Sequence, residues 1–286
     1  MSRIIGVQLA LSLSVNSSLG FDILTVSLKK TVRIAAIADI HFGRTSLVAL
    51  EPLFASIVER ADILLLCGDI VDYGLLEEAQ LFAKELARIM TIPTLGILGN
   101  HEHESGRHED VQHIFTDAGV RILDGTACEI QGVGFAGVKG FAGGFGERAL
   151  QAWGEDTIKR FAHEAANEAF KLESALAKLR TAQRIALLHY SPLQATVEGE
   201  PPEIFAFLGS SRLEEPLNRY AVTAVFHGHA HRGCIAGHTK EGIPVYNVAM
   251  PLLQHVFPRR PPFCLVDIPV DKAGTLPPLR PATSAG

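Results

Sequence analysis

The chain has 286 residues, of which 47% are hydrophobic and 20% charged, enough apolar mass for a sizeable core. A net charge of -5 and a pI near 6.2 provide no basic excess for neutralising phosphates, so nucleic acid is expected only as a locally gripped substrate. Cys67, Cys128, Cys234 and Cys264 lie far apart with no C-x-x-C pair, which argues against a zinc ribbon or a disulfide framework. They read as buried thiols in a reducing compartment, and the chain as cytoplasmic.

Residues 1–30 open with RIIGVQLALSLSV after the first two positions. One arginine before a short apolar stretch weakly suggests a signal peptide, but serines and a glutamine interrupt it and no A-x-A site follows. It is also too short and polar for a membrane span, which needs about 20 apolar residues. An N-terminal extension, either an added hairpin or a poorly ordered segment, is expected. The folded region then begins with VRIAAIADIH, a short apolar run that stops at a polar pair. Over 46–60, Leu47, Leu50, Phe54, Ile57 and Val58 recur at helical spacing. The alternation repeats: DILLLCGD precedes a helix over 75–90, and IPTLGILGNHE one over 109–118. Three strand-helix units in succession predict a mostly parallel sheet with helices on its faces.

The stretch VRILDGTACEIQGVGFAGV reads as a glycine-punctuated meander or second sheet. A long helix follows over 157–180, with Ile158, Phe161, Ala165, Ala169, Leu172, Leu176 and Leu179 in one stripe and Asp156 as its N-cap. Strand-like runs return at RIALLHYSP, TAVFHGHAH, IPVYNVA and PFCLVDIPV, and the proline-rich tail over 271–286 is expected to be disordered. Without a linker or repeat, one domain is expected over 31–270. GFAGGFG (140–146) reads as a plain turn with glycines at positive φ, the other reading being a lid or phosphate loop.

The residues just past these apolar runs are Asp39 and His41, then Asp69 and Asp72, then Asn100, His101 and Glu102, then His189, then His229 and His231. Taken singly each has a bland reading: a D-x-H at a strand end is more often a turn, and a lone H-x-H is as often surface as ligand. Together they put oxygen and imidazole donors at every strand end, where the crevice of an open α/β sheet binds ligands. Such a donor set suits Mn, Fe, Zn or similar cations.

The segments DIH (39–41), GDIVD (68–72), GNHE (99–102), His189 and GHAH (228–231) resemble, in order and strand context, the five signature blocks of the calcineurin-like metallophosphoesterase superfamily. The resemblance covers Val32 to Val270. It implies an α/β fold of the four-layer type, two facing mixed β-sheets flanked by helices, with the metal site on the strand-end loops. Periodicity alone suggests one doubly wound sheet.

The resemblance further implies a hydrolase of phosphate esters with two divalent metal ions, manganese foremost and Fe, Zn, Ni or Co as alternatives. It assigns Asp39, His41 and His231 to one metal, Asn100, His189 and His229 to the other, and Asp69 as their bridge, with a bridging hydroxide as nucleophile. His101 would contact phosphate and protonate the leaving oxygen, oriented by Glu102 where the family commonly has Asp. Asp72 would support the site from outside or cap a helix. Arg44, His103, Arg107 and Arg232 are candidate substrate contacts by proximity, while His227 reads as packed. The expected substrate is a small phosphodiester or phosphomonoester. The alternative is a metal-holding scaffold or regulatory module on the same fold with little or no turnover.

Overall fold

The structure is a computed structural model and describes residues 30–43 and 50–270. The expected N-terminal extension (Lys30 aside), the first turn of the helix over 46–60, Arg44 and the tail over 271–286 lie outside the described residues.

The first half runs β1 (Lys30–Ile37), α1 (Leu50–Arg60), β2 (Ile63–Cys67), α2 (Leu76–Ile89), β3 (Thr94–Ile97), α3 (His108–Asp117) and β4 (Val120–Ile122). Strands β1 to β4 are mutually parallel, as the strand-helix alternation predicts, and β11 (Cys264–Val270) pairs antiparallel on the outside of β1. The run ILLLC of β2 is buried at every position because it lies inside the sheet with both faces covered.

A second, six-stranded sheet is formed by the chain between β4 and β11. Its strands are β5 (Thr126–Ile130), β6 (Val133–Gly137), β7 (Gln183–Leu187), β8 (Ala224–His227), β9 (Ala236–His238) and β10 (Pro244–Asn247), in the order β5-β6-β7-β8-β10-β9. The central strands β6, β7, β8 and β10 are parallel, and antiparallel partners close both edges. The single doubly wound sheet suggested by periodicity is thereby corrected to two mixed sheets flanked by helices, as the family resemblance implies. Val32, Ile34, Leu65 and Ile97 of the first sheet pack with Phe135, Ile185, Leu187 and Phe226 of the second in one core. Alternate residues of a strand face opposite ways, so each sheet needs two apolar partners, and the helices supply the outer one.

On the first sheet's outer face, α1, α2 and α3 each contribute a fully buried phenylalanine, Phe54, Phe82 and Phe115. The Phe82 ring meets both others edge-on with centroids 5.8 Å apart. Burying each ring contributes roughly 1.5–3 kcal/mol. The second sheet's outer face is covered by α4 (Asp156–Leu176) and α6 (Glu214–Arg219) through Leu172, Leu176 and Leu217, with Leu213 just ahead of α6. The short helices α5 (Phe205–Leu208) and α7 (Met250–Val256) complete the set.

Several local expectations are corrected. Helix α4 begins one residue earlier than expected, so Glu155 is its N-cap and Asp156 its first helical residue. Ile158 and Phe161 are only half-buried, while Glu168 lies on the buried face. Its Oε2 accepts the Gly140 N–H at 2.8 Å and its Oε1 pairs with Lys171 Nζ at 2.7 Å, which satisfies the buried charge. Cys234 is exposed rather than buried, although all four cysteines are free thiols.

Candidate metal centre

The parallel strands of both sheets end at the same edge, and the loops leaving them are laced together by main-chain bonds. Asp39 N–H donates to Gly68 O, His41 N–H to Asp69 O and Phe42 N–H to Ile70 O at 3.0–3.1 Å, joining the first two blocks. Gly228 N–H donates to His189 O at 3.2 Å, joining the last two. The lacing leaves little room. A Cβ at Gly99 would collide with the Asp69 carboxylate and backbone, and one at Gly228 with Asp39. It also forces the backbone: of the six described non-glycine residues with positive φ, four are Asp39, His41, Asp69 and His229, at 46–69°. Such conformations cost on the order of 1–3 kcal/mol each and persist where surrounding structure imposes them.

These loops bring Asp39, His41 and His231 into one group and Asp69, His189 and His229 into another, each with donor atoms within 4.8 Å of one another. His231 Nε2 lies 3.1 Å from Asp39 Oδ1 and 3.4 Å from His41 Nε2. His189 Nε2 lies 3.2 Å from Asp69 Oδ2 and 2.9 Å from Asn100 Oδ1. Between the two groups, His41 Nε2 is 4.0 Å from both Asp39 Oδ1 and Asp69 Oδ2.

The donor chemistry fits cations. Asp39 and Asp69 are buried carboxylates, costly without positive charge beside them. His189 Nδ1 donates to Cys67 O at 3.0 Å, so its Nε2 is aimed at the oxygens of Asp69 and Asn100. Only a proton or a cation satisfies that arrangement. His41 likewise has Nδ1 3.6 Å from Asp72 Oδ1, leaving Nε2 toward the cluster. Such outer partners commonly fix the tautomer of metal-binding imidazoles.

The electrostatics agree. Burial opposes charge on His189, but the neighbouring Asp69 carboxylate outweighs it and raises its pKa to about 9. Burial also opposes charge on Asp69, and His189 and His101 override that, holding it below the ordinary carboxylate range. His229, in contact with Phe207 O through Nε2 at 3.2 Å, is held down to about 4 by burial and by His189.

His101 joins His41 and Asp69 as a third group, its Nε2 3.9 Å from Asp69 Oδ2. Its Nδ1 donates to the Asp72 carbonyl, so Asp72 supports both His41 and His101. The helix-cap alternative for Asp72 is replaced: Glu78 Oε2 accepts the N–H groups of Tyr73 and Leu75 ahead of α2. The orienting role expected of Glu102 is also corrected. This fully buried carboxylate takes four main-chain donors, Oε1 from Ile70 (2.7 Å) and Val71 (2.9 Å), Oε2 from Asp69 (3.1 Å) and Gly99 (2.6 Å). Burial and the Asp69 charge lift its pKa to about 7.

The remaining candidates scatter. Arg107 is tied to Asp110 on the exposed face of α3 at 2.6 Å. Arg232 is exposed beside His231, and His103 stacks on His108 with centroids 4.1 Å apart. Burial, His108 and Lys139 hold the His103 pKa to about 4. His227 is packed as expected, its Nδ1 donating to Gly228 O at 2.8 Å and its Nε2 accepting from Thr196 Oγ1 at 2.9 Å. The glycine run over 140–146 is a packed connection, Gly143 and Gly144 donating to the carbonyls of Ala206 and Gly209.

Among solved structures, the phosphopantetheinyl hydrolase of Mycobacterium tuberculosis superposes with a TM-score of 0.60 at 15% identity, covering 84% of this chain and 97% of that one. The protein TT1561 of Thermus thermophilus gives a TM-score of 0.48 at 17% identity, covering 85% of this chain and all of that one. At 15% identity the likeness to the phosphopantetheinyl hydrolase concerns the fold alone. No curated protein matches the chain. The sequence model of the calcineurin-like phosphoesterases matches residues 32–233, well over half of the chain, and the protein therefore belongs to that family.

Proposed function

We propose that the protein is a metal-dependent phosphoesterase formed by one domain over 31–270, acting on a small phosphodiester or phosphomonoester. Asp39, His41 and His231 would hold one divalent cation, Asn100, His189 and His229 a second, with Asp69 between them. The observation that carries this reading is the position of the Asp69 carboxylate, 3.2 Å from His189 Nε2 and 4.0 Å from His41 Nε2. Two cations so held would lower the pKa of a water for in-line attack and clamp the phosphoryl oxygens, and manganese suits the mixed carboxylate and imidazole set.

The chain's own residues do the rest. Glu102 fixes the Asp69 and Gly99 loops against each other, so the donors on both are pre-positioned. Asp72 O holds the hydrogen of His101 on Nδ1. Nε2 therefore faces the cluster, where in the imidazolium form it can give its proton to the leaving oxygen. General acid help of this kind is worth typically ~10²- to 10⁴-fold. Among the described residues no helix is long and apolar enough to cross a membrane.

The test is to strip the protein of metal, resupply Mn²⁺, and assay bis(4-nitrophenyl) phosphate beside 4-nitrophenyl phosphate. Metal-restored cleavage of either is expected, and the preference sorts diester from monoester. Two bound metals with no cleavage of any ester tested would favour the scaffold reading.

A further inference from the structure

Asn247, the last residue of β10, is a polar side chain with no exposed surface, at a buried strand position that suits a branched apolar residue better. A buried amide is costly unless its hydrogen bonds are made, and here they are. Its Nδ2 donates to the carbonyl of Ala230 at 2.7 Å and, at a longer 3.4 Å, to that of Thr196, while its Oδ1 accepts the N–H of Ala249 at 3.1 Å.

These partners join two loops of the donor cluster. Ala230 stands between His229 and His231, so its carbonyl sets the peptide plane from which His231 departs. The turn there is tight: the Ala230 N–H reaches back to Gly228 O at 2.8 Å, and His229 has a φ of 69°. The Gly233 N–H also approaches the Ala230 carbonyl, at 3.3 Å. On the other side, Ala249 pairs with Ala38, the residue before Asp39. Ala38 N–H donates to Val248 O at 3.0 Å, and Ala38 O accepts the Met250 N–H at 2.8 Å. The amide therefore ties the loop of His231 to the segment paired with the approach to Asp39, and the two side chains meet at 3.1 Å. His229 has holds of its own, its N–H on Asp39 Oδ2 at 2.9 Å and its Nε2 on Phe207 O.

We propose that Asn247 is a positioning residue of the metal centre, acting through Ala230 and Ala249 to hold His231 and Asp39 in register for one cation and leaving the cation of Asn100, His189 and His229 largely untouched. The inference rests on the two-cation reading above and divides the supporting roles within it. Glu102 serves the loops of Asp69 and Asn100, and Asn247 those of Asp39 and His231.

The test is a Mn²⁺ titration of the metal-stripped full chain, followed by calorimetry and by electron paramagnetic resonance, which tells a coupled pair of ions from a lone one. Wild type should take up two ions and give the coupled spectrum. Asn247→Ala should bind one ion as wild type does and the other about 10- to 100-fold more weakly, the usual cost of losing a group that holds a ligand in place. Its spectrum at intermediate Mn²⁺ should be that of a lone ion. Asn247→Asp keeps an oxygen for Ala249 but has no hydrogen for Ala230, and should act likewise. Thermal unfolding of the metal-free protein checks folding, and Asn247→Ser is a milder truncation should either variant fail. His231→Ala assigns the site: adding Asn247→Ala to it should cost the remaining ion nothing further, whereas a general loosening of the fold would weaken that ion too. A folded variant that binds both ions as wild type does, or loses affinity for both alike, would overturn the proposal. A wild type that takes up no pair of ions would overturn the two-cation reading itself, and the proposal with it.

Discussion

Glu102→Gln tests how the site is held, because Glu102 touches none of the donor nitrogens yet ties together the loops of Asp69 and Asn100. Its two oxygens each accept two main-chain N–H groups, from Ile70 and Val71 on one side and from Asp69 and Gly99 on the other. A carboxamide keeps one oxygen and turns the other into an N–H₂ that faces two donors. Two hydrogen bonds vanish and two buried N–H groups lose their acceptor, at ~1–3 kcal/mol each, so roughly 2–6 kcal/mol in all. For a chain of this size each kcal/mol moves Tm by about 2–4 °C, which makes the expected drop at least ~4 °C. The loosened loops carry Asp69 and Asn100, so Mn²⁺ affinity should fall as well. Differential scanning calorimetry of the metal-free protein and a Mn²⁺ titration measure the two effects separately. A variant with wild-type Tm and wild-type metal affinity would refute this account of Glu102.

Asp69→Asn should abolish activity and reduce metal content more than any other single change in the donor set, since its carboxylate faces both groups; two sites of unaltered affinity would count against the bridge. His101→Asn should keep both metals and lose turnover by ~10²-fold or more, and loss of metal instead would make His101 a ligand, as its grouping with His41 and Asp69 allows. A smaller effect concerns the edge pair Arg33–Asp267, 2.7 Å apart and directly cross-strand between β1 and β11. The hydrogen bond from Arg33 holds Asp267 below its usual pKa, so the pair's stabilisation is full above the ordinary carboxylate pKa and is lost as pH falls through the lowered one. Both side chains are half exposed, so Asp267→Asn should cost about 0.2–1 kcal/mol at neutral pH and nothing in acid, read from urea unfolding at both pH values.

Much of the fold was legible because it obeys local rules. The strand-helix alternation from β1 to α3 follows from apolar runs too short for helices and stripes spaced for one face. The ends of those runs pointed to the candidate site only when taken together, since each donor pair alone serves as readily in a turn or on the surface. Less legible was everything held by main-chain groups. Glu102 looks in sequence like a partner of His101, its immediate neighbour, yet its carboxylate serves four N–H groups, three of them some thirty residues away in the chain. The Phe207 carbonyl on His229 Nε2 left no trace either, because any residue carries a carbonyl. Glu168 broke the expected apolar stripe of α4 for a comparable reason: its two partners, the Gly140 N–H and Lys171, are visible only once the helix is docked.

By itself the sequence determined the order of elements, the five blocks of donors and the family to which they belong, because burial pattern and ligand identity are written in side chains. Two facing sheets were already implied by the family resemblance, but only the tertiary structure decided which strands share each sheet, and that Asp39, His41, Asp69 and His229 sit in left-handed backbone at their shared edge. Pairing between distant strands is made by the backbone, which is the same in every residue, so no local pattern records which strand lies next to which.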